Sequence, residues 1–446
     1  MISFILRKLH NLVSDKKFSE ILTGSSWALG ARVISTGLAM ITSIIVARSY
    51  GAGVMGTIAM LNSFLTLTTI FTVLGTNTSI LRLIPEYLTK YSPTSAFRVY
   101  RKTQYFVGGV SLITSVLLFF SSGFISETIF SKTHLKFYFA LGALFIVFKS
   151  IMDLNTQAVR GLRLIKVFAF MQLLPALSKL IILIPITIFF YNQDNPIYAM
   201  FASIAITALT GAWIMDRVFK QRSAPGDIQH TMSMKDILKI STPMLMTATM
   251  TFVIGQTGVI LLGIFRPETE VGYYSIAVRL STLTAFILHA IGSMAGPKFS
   301  ELYHLGKMEE LFYVARKSAK LIFWTTVPIL AALILLGKQI LLLLYGADFT
   351  VVYWAMVLLV MGQFVNSISG STGLFMNMTG NQNMFRNFVL IAAVLNVGLN
   401  ILLIPTYGFY GAAIAGMISI MSWNIFTLCY IKIKFGKTIG YFPLLM

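Results

Sequence analysis

Twelve apolar runs constrain this chain more than anything else in it. They cover residues 25–49, 54–81, 104–123, 137–157, 167–191, 197–215, 237–265, 271–296, 321–342, 351–378, 388–405 and 409–431. At about 1.5 Å per residue each can cross roughly 30 Å of hydrocarbon as a helix. Inside lipid only helices and closed barrels keep every backbone N–H and C=O paired, and runs this long read as helices. The expected fold class is therefore an all-α integral membrane protein with about twelve transmembrane helices. Composition excludes a water-soluble globule: 56% of residues are hydrophobic, 11% are charged and the mean hydropathy is +0.79, more apolar surface than a core of this size can hide. The single cysteine, Cys429, lies in the last run, which excludes a disulfide framework and a cysteine metal centre. No cofactor and no metal are expected.

Lysine and arginine set the orientation. With the N-terminus inside, 26 of the 35 basic residues fall on inner segments, five on outer segments and four within the spans. That bias puts both termini in the cytoplasm. It also accounts for the net charge of +20 without nucleic acid, because a basic inner face attracts anionic lipid. Residues 1–22 place Ile2, Ile5, Leu6, Leu9, Leu12 and Val13 at helical spacing opposite Arg7, Lys8, Lys16 and Lys17, the pattern of a helix lying on the membrane surface.

The chain repeats itself at a separation of about 215–220 residues. Thr57, Ile58 and Ala59 return as Ser275, Ile276 and Ala277. Glu86 returns as Glu301, Arg101-Lys102 as Arg316-Lys317, and Leu183-Ile184-Pro185 as Leu403-Ile404-Pro405. Six spans thus repeat as six. An even number makes the halves parallel, related by a pseudo-two-fold axis along the membrane normal, an arrangement typical of transporters whose site lies where the repeats meet. The expected organisation is an interfacial helix (1–22), a six-helix lobe (23–219), a basic linker (220–236), a second six-helix lobe (237–431) and a cytoplasmic tail (432–446).

Four cations fall inside the spans. Arg32 lies about a third of the way in from the cytoplasm, Lys149 and Lys179 near the middle, and Arg279 about a third in from outside. A cation at the centre of a lone helix costs about 2.5–3.5 kcal/mol, so such residues usually face a watery cavity. Asp153 is the carboxylate well inside a span, which leaves an interior positive by about three charges and suited to an anion. Plainer readings stand beside this one: Asp153, four residues after Lys149, neutralises it, and Arg32 snorkels to the surface. Asn62, His289 and Asn366 join stripes of amides and hydroxyls, including Thr69, Thr72, Thr76, Asn396 and Asn400, that can hydrogen-bond sugar hydroxyls, and Gln256 in the seventh span stands by itself with the same two readings open. Equally, such groups bond helix to helix, and His289 also reads as a packed histidine. Gly51, Gly53 and Gly56 match G-x-G-x-x-G, but they join two membrane helices, so no dinucleotide site is expected.

With these residues on the page the chain resembles the polysaccharide transporter branch of the multidrug/oligosaccharidyl-lipid/polysaccharide superfamily, most closely the bacterial O-antigen and capsule repeat-unit flippases. The matching stretches are Ala47-Arg48-Ser49-Tyr50-Gly51-Ala52-Gly53 with Gly56, Val271-Gly272-Tyr273-Tyr274-Ser275 through Arg279-Leu280, Leu344-Tyr345-Gly346-Ala347-Asp348-Phe349, and the stretch from Asn400 to Pro405 followed by Tyr407-Gly408 and Gly411-Ala412-Ala413. The resemblance implies a non-enzymatic flippase with alternating access. It would carry undecaprenyl-diphosphate-linked oligosaccharide repeat units from the cytoplasmic to the periplasmic leaflet of a bacterial inner membrane, for O-antigen, capsule or exopolysaccharide. Arg32, Lys149, Lys179, Arg279, Asn62, Gln256, His289 and Asn366 are then the substrate-binding candidates and Asp153 the coupling-ion candidate. Arg279 looks like the eighth-span arginine of lipid II flippases, which contacts the diphosphate. The expected partners are the lipid-linked sugar, membrane lipid and the polysaccharide polymerase machinery, and the expected state is a monomer. Two alternatives are weighed. A cation-coupled drug exporter of the same superfamily uses carboxylates in the first or seventh span, where this chain has none. A lipid-linked oligosaccharide polymerase needs a catalytic outer loop larger than any here.

Overall fold

Backbone geometry at Gly51 decides how the first two spans are joined. A computed structural model describes residues 16–222 and 231–443, without the side chains of residues 16–26, 28, 29, 222, 247, 289, 293 and 294. Residues 1–15 of the expected interfacial helix and 223–230 of the expected linker lie outside the described residues. The first helix, α1 (Lys16–Val73), runs for 58 residues and leaves helical geometry at Gly51 (φ 80°, ψ −178°). Only glycine reaches that conformation without strain, so two spans meet there with no loop between them. Among the described residues eleven helical stretches are long and apolar enough to cross a membrane, and the first of these, Gly30–Val73, has 44 residues. That is about twice the length a bilayer requires, which reconciles eleven stretches with twelve apolar runs.

The chain continues through α2 (Thr76–Lys90), α3 (Pro93–Phe120), α4 (Lys136–Gly161), α5 (Ile165–Phe189), α6 (Asn195–Arg222), α7 (Met234–Phe265), α8 (Glu268–Ser281), α9 (Ala285–His304) and α10 (Met308–Leu335). It ends with α11 (Gly337–Tyr345), α12 (Tyr353–Ser369), α13 (Thr372–Met378), α14 (Gln382–Tyr407) and α15 (Phe409–Phe435). No strand occurs among the described residues. Helix α3 shows how the sequence starts and orients such an element. Ser92 caps it by accepting the Ser95 N–H at 3.2 Å, and Pro93 occupies the first turn, where a missing N–H costs nothing. Its buried face carries Ser95, Thr103, Ser111 and Ser115, whereas Leu112, Ile113, Leu117 and Phe120 point outward, Phe120 being 81% exposed. The buried face also carries Ala96, Val99, Tyr100 and Val107, so the sign of lipid as outer solvent is the large apolar residues that point outward.

The chain packs as two units. The first comprises Met1–Ser43, Leu65–Glu127 and Lys132–Leu245, the second Ile44–Phe64, Thr128–Ser131 and Met246–Met446. They cut across the halves expected from the repeat, because 25 residues of the first half, 21 of them in Ile44–Phe64, belong to the second unit. The physical reason is an unusually close backbone approach between α1 and α8. A Cβ on Gly56 would lie 1.8 Å from the Glu268 carbonyl oxygen, and a Cβ on Gly272 would lie 2.0 Å from that of Ala52. The G-x-G-x-x-G spacing is thus explained by helix contact and a turn, not by phosphate. In the first unit Ile80, Leu83, Ile84, Tyr100, Leu154, Ala158, Phe219 and Ile237 form a closed core. The Tyr100 hydroxyl donates to Asn155 Oδ1 there at 2.9 Å. In the second unit Phe299, Leu302, Leu311, Phe312, Phe375, Ile431 and Ile439 do the same.

Candidate transport site

Three of the four intraspan cations and Asp153 belong to the first unit, on α1, α4 and α5. Lys149 Nζ donates to Asp153 Oδ1 at 2.7 Å, with side chains 17% and 30% exposed. The two lie one turn apart on α4, so helix geometry alone brings them together. Asp153 also lines a cavity of about 330 Å³ with Asn77, Thr156, Gln157, Gln172 and Pro175. Gln172 lines it too, and its Oε1 is buried without a hydrogen-bond partner, an acceptor that a hydroxyl or amide donor of a bound molecule would meet once the amide turns toward the cavity. The Ser35 hydroxyl donates to the Gln172 carbonyl at 3.1 Å, tying α1 to α5 one helical turn from Arg32. Arg32 itself is exposed. Lys179 is half-buried and follows Gln172 by seven residues, two turns of α5, on the same face of that helix.

Arg279 is in the second unit, half-buried and two residues before α8 ends. The eighth span is not one helix: α8 gives way to a tighter turn over Thr282–Thr284 before α9 begins. Thr282 Oγ1 donates back to the Val278 carbonyl at 2.7 Å and to that of Arg279 at 3.2 Å, satisfying acceptors that the break would otherwise leave open. Asn62 is exposed. Its neighbour Ser63 donates to Gln256 Oε1 at 2.7 Å, so Gln256 fastens α7 to α1. His289 lies in α9, its side chain outside the described residues.

Several stripe residues take the packing role. Asn366 sits in an amide chain, donating to Gln363 Oε1 at 3.2 Å and accepting from Asn424 Nδ2 at 3.2 Å. Asn400 Nδ2 donates to Asn396 Oδ1, and Asn396 Nδ2 to Ser419 Oγ, both at 3.0 Å. Asn396 and Asn400 are 2% and 0% exposed, so neither lines a wet wall. In the second span Thr69, Thr72 and Thr76 are buried too, Thr72 sharing a 2.7 Å hydroxyl contact with Ser150. The cavity residues the sequence reading passed over are Gln172, Asn77, Thr156 and Gln157. Gln172 carried a usable signal, a lone amide inside an otherwise apolar run.

Residues 21–303, more than half of the chain, match the family described as polysaccharide biosynthesis protein. The chain belongs to that family. A polysaccharide biosynthesis protein of this kind has named relatives in the archaeon Haloferax volcanii. The probable low-salt glycan biosynthesis flippase Agl15 is 21% identical over 228 residues, covering 51% of this chain and 47% of Agl15. The probable flippase AglR is 29% identical over 170 residues, 37% of this chain and 35% of AglR. The chain therefore matches about half the length of Agl15 and a third of AglR. An uncharacterized membrane protein of Methanocaldococcus jannaschii, MJ1068, is 19% identical over 433 residues, 93% of this chain and 84% of its own. Among solved structures, the lipid II flippase MurJ in an inward closed conformation superposes with a TM-score of 0.74 at 15% identity, covering 90% of this chain and 86% of MurJ. An inward-facing multidrug resistance MATE family transporter of the MOP superfamily gives 0.68 at 16% identity, covering 92% and 98%. The fold of this polysaccharide biosynthesis protein is thus that of the MOP transporters, and the relatives and neighbours named for a function are flippases and transporters, not enzymes.

The Lys149–Asp153 pair yields a first prediction. Removing one partner strands a charge, which costs more than losing both. Lys149→Met is expected to destabilise by about 1–3 kcal/mol, less than a fully buried pair would because both groups are partly wet. Lys149→Met with Asp153→Asn should recover most of that. Thermal unfolding of Lys149→Met, Asp153→Asn and the double variant as a double-mutant cycle measures the coupling; a double-variant loss equal to the sum of the two single losses would deny the pair a role.

Proposed function

We propose that this polysaccharide biosynthesis protein is a flippase for lipid-linked oligosaccharide, carrying undecaprenyl-diphosphate-linked repeat units from the cytoplasmic to the periplasmic leaflet of a bacterial inner membrane, with both termini cytoplasmic. The supporting observation is the cavity in the first unit: a sugar-sized polar space with an unpartnered glutamine amide, in a helix group that also carries Arg32, Lys149 and Lys179. Amides and hydroxyls suit sugar hydroxyls, while cations at bilayer depth suit phosphate. On this reading Arg279 adds charge for the diphosphate, with Asn62, Gln256, His289 and Asn366 as lesser contacts, and the polyprenyl tail stays in lipid. No bond is made or broken. Outward movement of negative charge gains about 2.3 kcal/mol per charge for each 100 mV of inside-negative potential, so the potential can drive the step without a coupled ion. A proton- or sodium-coupled drug exporter is the weaker reading, because the mid-span carboxylate, Asp153, is held by Lys149.

Proteoliposomes loaded with fluorescent undecaprenyl-diphosphate oligosaccharide test this directly, with dithionite quenching of the outer leaflet as readout. Transport that quickens when a potassium gradient draws negative charge across is the expected result. A rate no faster than in protein-free vesicles, with proton-driven ethidium export instead, would overturn it.

A further inference from the structure

Away from these residues, the second unit holds a cavity of about 390 Å³ between the start of α10 and the segment that follows α15. Its α10 wall is one helix face, Tyr313, Arg316, Lys317 and Lys320, at spacings of three and four residues. Phe312, one turn before Arg316, also lines the space, and Ala315, Ala319 and Phe323 beside that face are buried. The other wall is the tail after Gly436, where Lys437 and Tyr441 line the space. This tail is fixed in place. Ile439 and Tyr441 are 2% and 8% exposed, the Tyr441 N–H donates to the Ile368 carbonyl at 2.9 Å, and Arg316 Nε donates to the Thr438 carbonyl at 2.7 Å. Ile368 lies just ahead of Gly370, where α12 breaks from α13, so the tail caps an acceptor the break leaves open.

Four cations thus converge on one built space. The carboxylate lining it, Glu309, is taken by Lys437. Lys317 Nζ and Lys320 Nζ lie over the rings of Tyr313 and Tyr441, each at 5.4 Å from the centroid. Neither lysine pairs with a carboxylate among the described residues. Like charges this close on one helix repel, and the arrangement is settled best by an anion held among them. The depth narrows the chemistry. Apolar residues begin at Leu321, so these cations stand at the rim of the hydrocarbon, level with phosphate headgroups, on the face that the lysine and arginine bias makes cytoplasmic.

We propose that this cavity is a binding site for a phosphate-bearing anion, the phosphodiester of an acidic phospholipid or a soluble diphosphate compound, clamped between Arg316, Lys317 and Lys320 on α10 and Lys437 on the tail. The proposal stands apart from the transport reading.

Full-length protein in nanodiscs, treated with an amine-acetylating reagent and read by mass spectrometry, provides the test. Lys298 and Lys307, which pair with Glu301 and Glu310, serve as internal references. Relative to those two, Lys317 and Lys320 are expected to be acetylated several-fold more slowly when phosphatidylglycerol is added to phosphatidylcholine discs, or when inorganic diphosphate is added to discs of phosphatidylcholine alone. Protection by the lipid only identifies a headgroup site, and protection by diphosphate identifies a site open to soluble phosphates. Equal slowing at all four lysines is diffuse attraction to the surface and overturns the proposal, as does no slowing in either arm. In Arg316→Gln/Lys320→Gln, Lys317 should lose its protection; retention would also overturn it.

Discussion

Gly272→Val is expected to prevent this protein from assembling in the membrane. A Cβ there would stand 2.0 Å from the Ala52 carbonyl oxygen and 3.1 Å from the Gly56 nitrogen, and both obstacles are backbone, which cannot swing aside as a side chain can. Overpacking an ordinary core costs about 1–3 kcal/mol; separating two helices that touch through their main chains forfeits the contact itself and should exceed that. Gly56→Val meets the Glu268 carbonyl oxygen and should fail likewise. Gly108 supplies the contrast, since a Cβ there meets nothing within 4 Å, and Gly108→Ala should stay within about 0.5 kcal/mol of the parent. Fluorescence-detected size-exclusion chromatography of tagged variants reads the difference. A monodisperse Gly272→Val protein with the parent's melting temperature would show that the α1–α8 approach does not hold the second unit together.

That contact also marks where sequence reading stops. The spans were legible because lipid leaves helices little choice of length or composition, although the runs 54–81, 271–296 and 351–378 are each interrupted by a turn that the apolar pattern does not show. Depth was legible for the same reason, since position along a helix is a count of residues. Azimuth was not. Asn396 and Asn400 sit at helical spacing just as cavity-lining groups would, yet α15 covers them with Ser419 and they bond each other. Gln172, by contrast, belongs to no stripe, yet it lines the cavity with Asn77 and Gln157. The same limit applies to Lys149, whose partner four residues on was visible, although choosing pair over cavity needed the 2.7 Å contact. Nor does the repeat reveal that Ile44–Phe64 packs in the second unit, because the signal for it is the absence of side chains at Gly56 and Gly272. Small residues announce that something comes close without saying what.

Arg279→Gln should slow transport by roughly ten- to a hundred-fold while leaving the protein in the membrane. Under the flippase reading its guanidinium holds a diphosphate, and a hydrogen bond to a charged group contributes about 1.5–3 kcal/mol, a factor of roughly ten to a hundred in rate where the contact forms on the way across. Arg279→Lys separates charge from geometry: it keeps the cation but loses the planar fork that grips two phosphate oxygens, so its rate should fall between the two. Fold integrity should survive both changes, because Arg279 is only half-buried and the turn at Thr282–Thr284 is closed by the Thr282 hydroxyl on backbone carbonyls. Lys179→Gln in the same assay tests the first unit's cations separately. The decisive comparison is in cells, where a strain lacking this gene and supplied with Arg279→Gln should make little surface polysaccharide at parental levels of membrane-inserted protein. Normal polysaccharide in that strain would remove Arg279 from the anion's path and leave the polar cavity beside Asp153 as the feature any transport mechanism must be built upon.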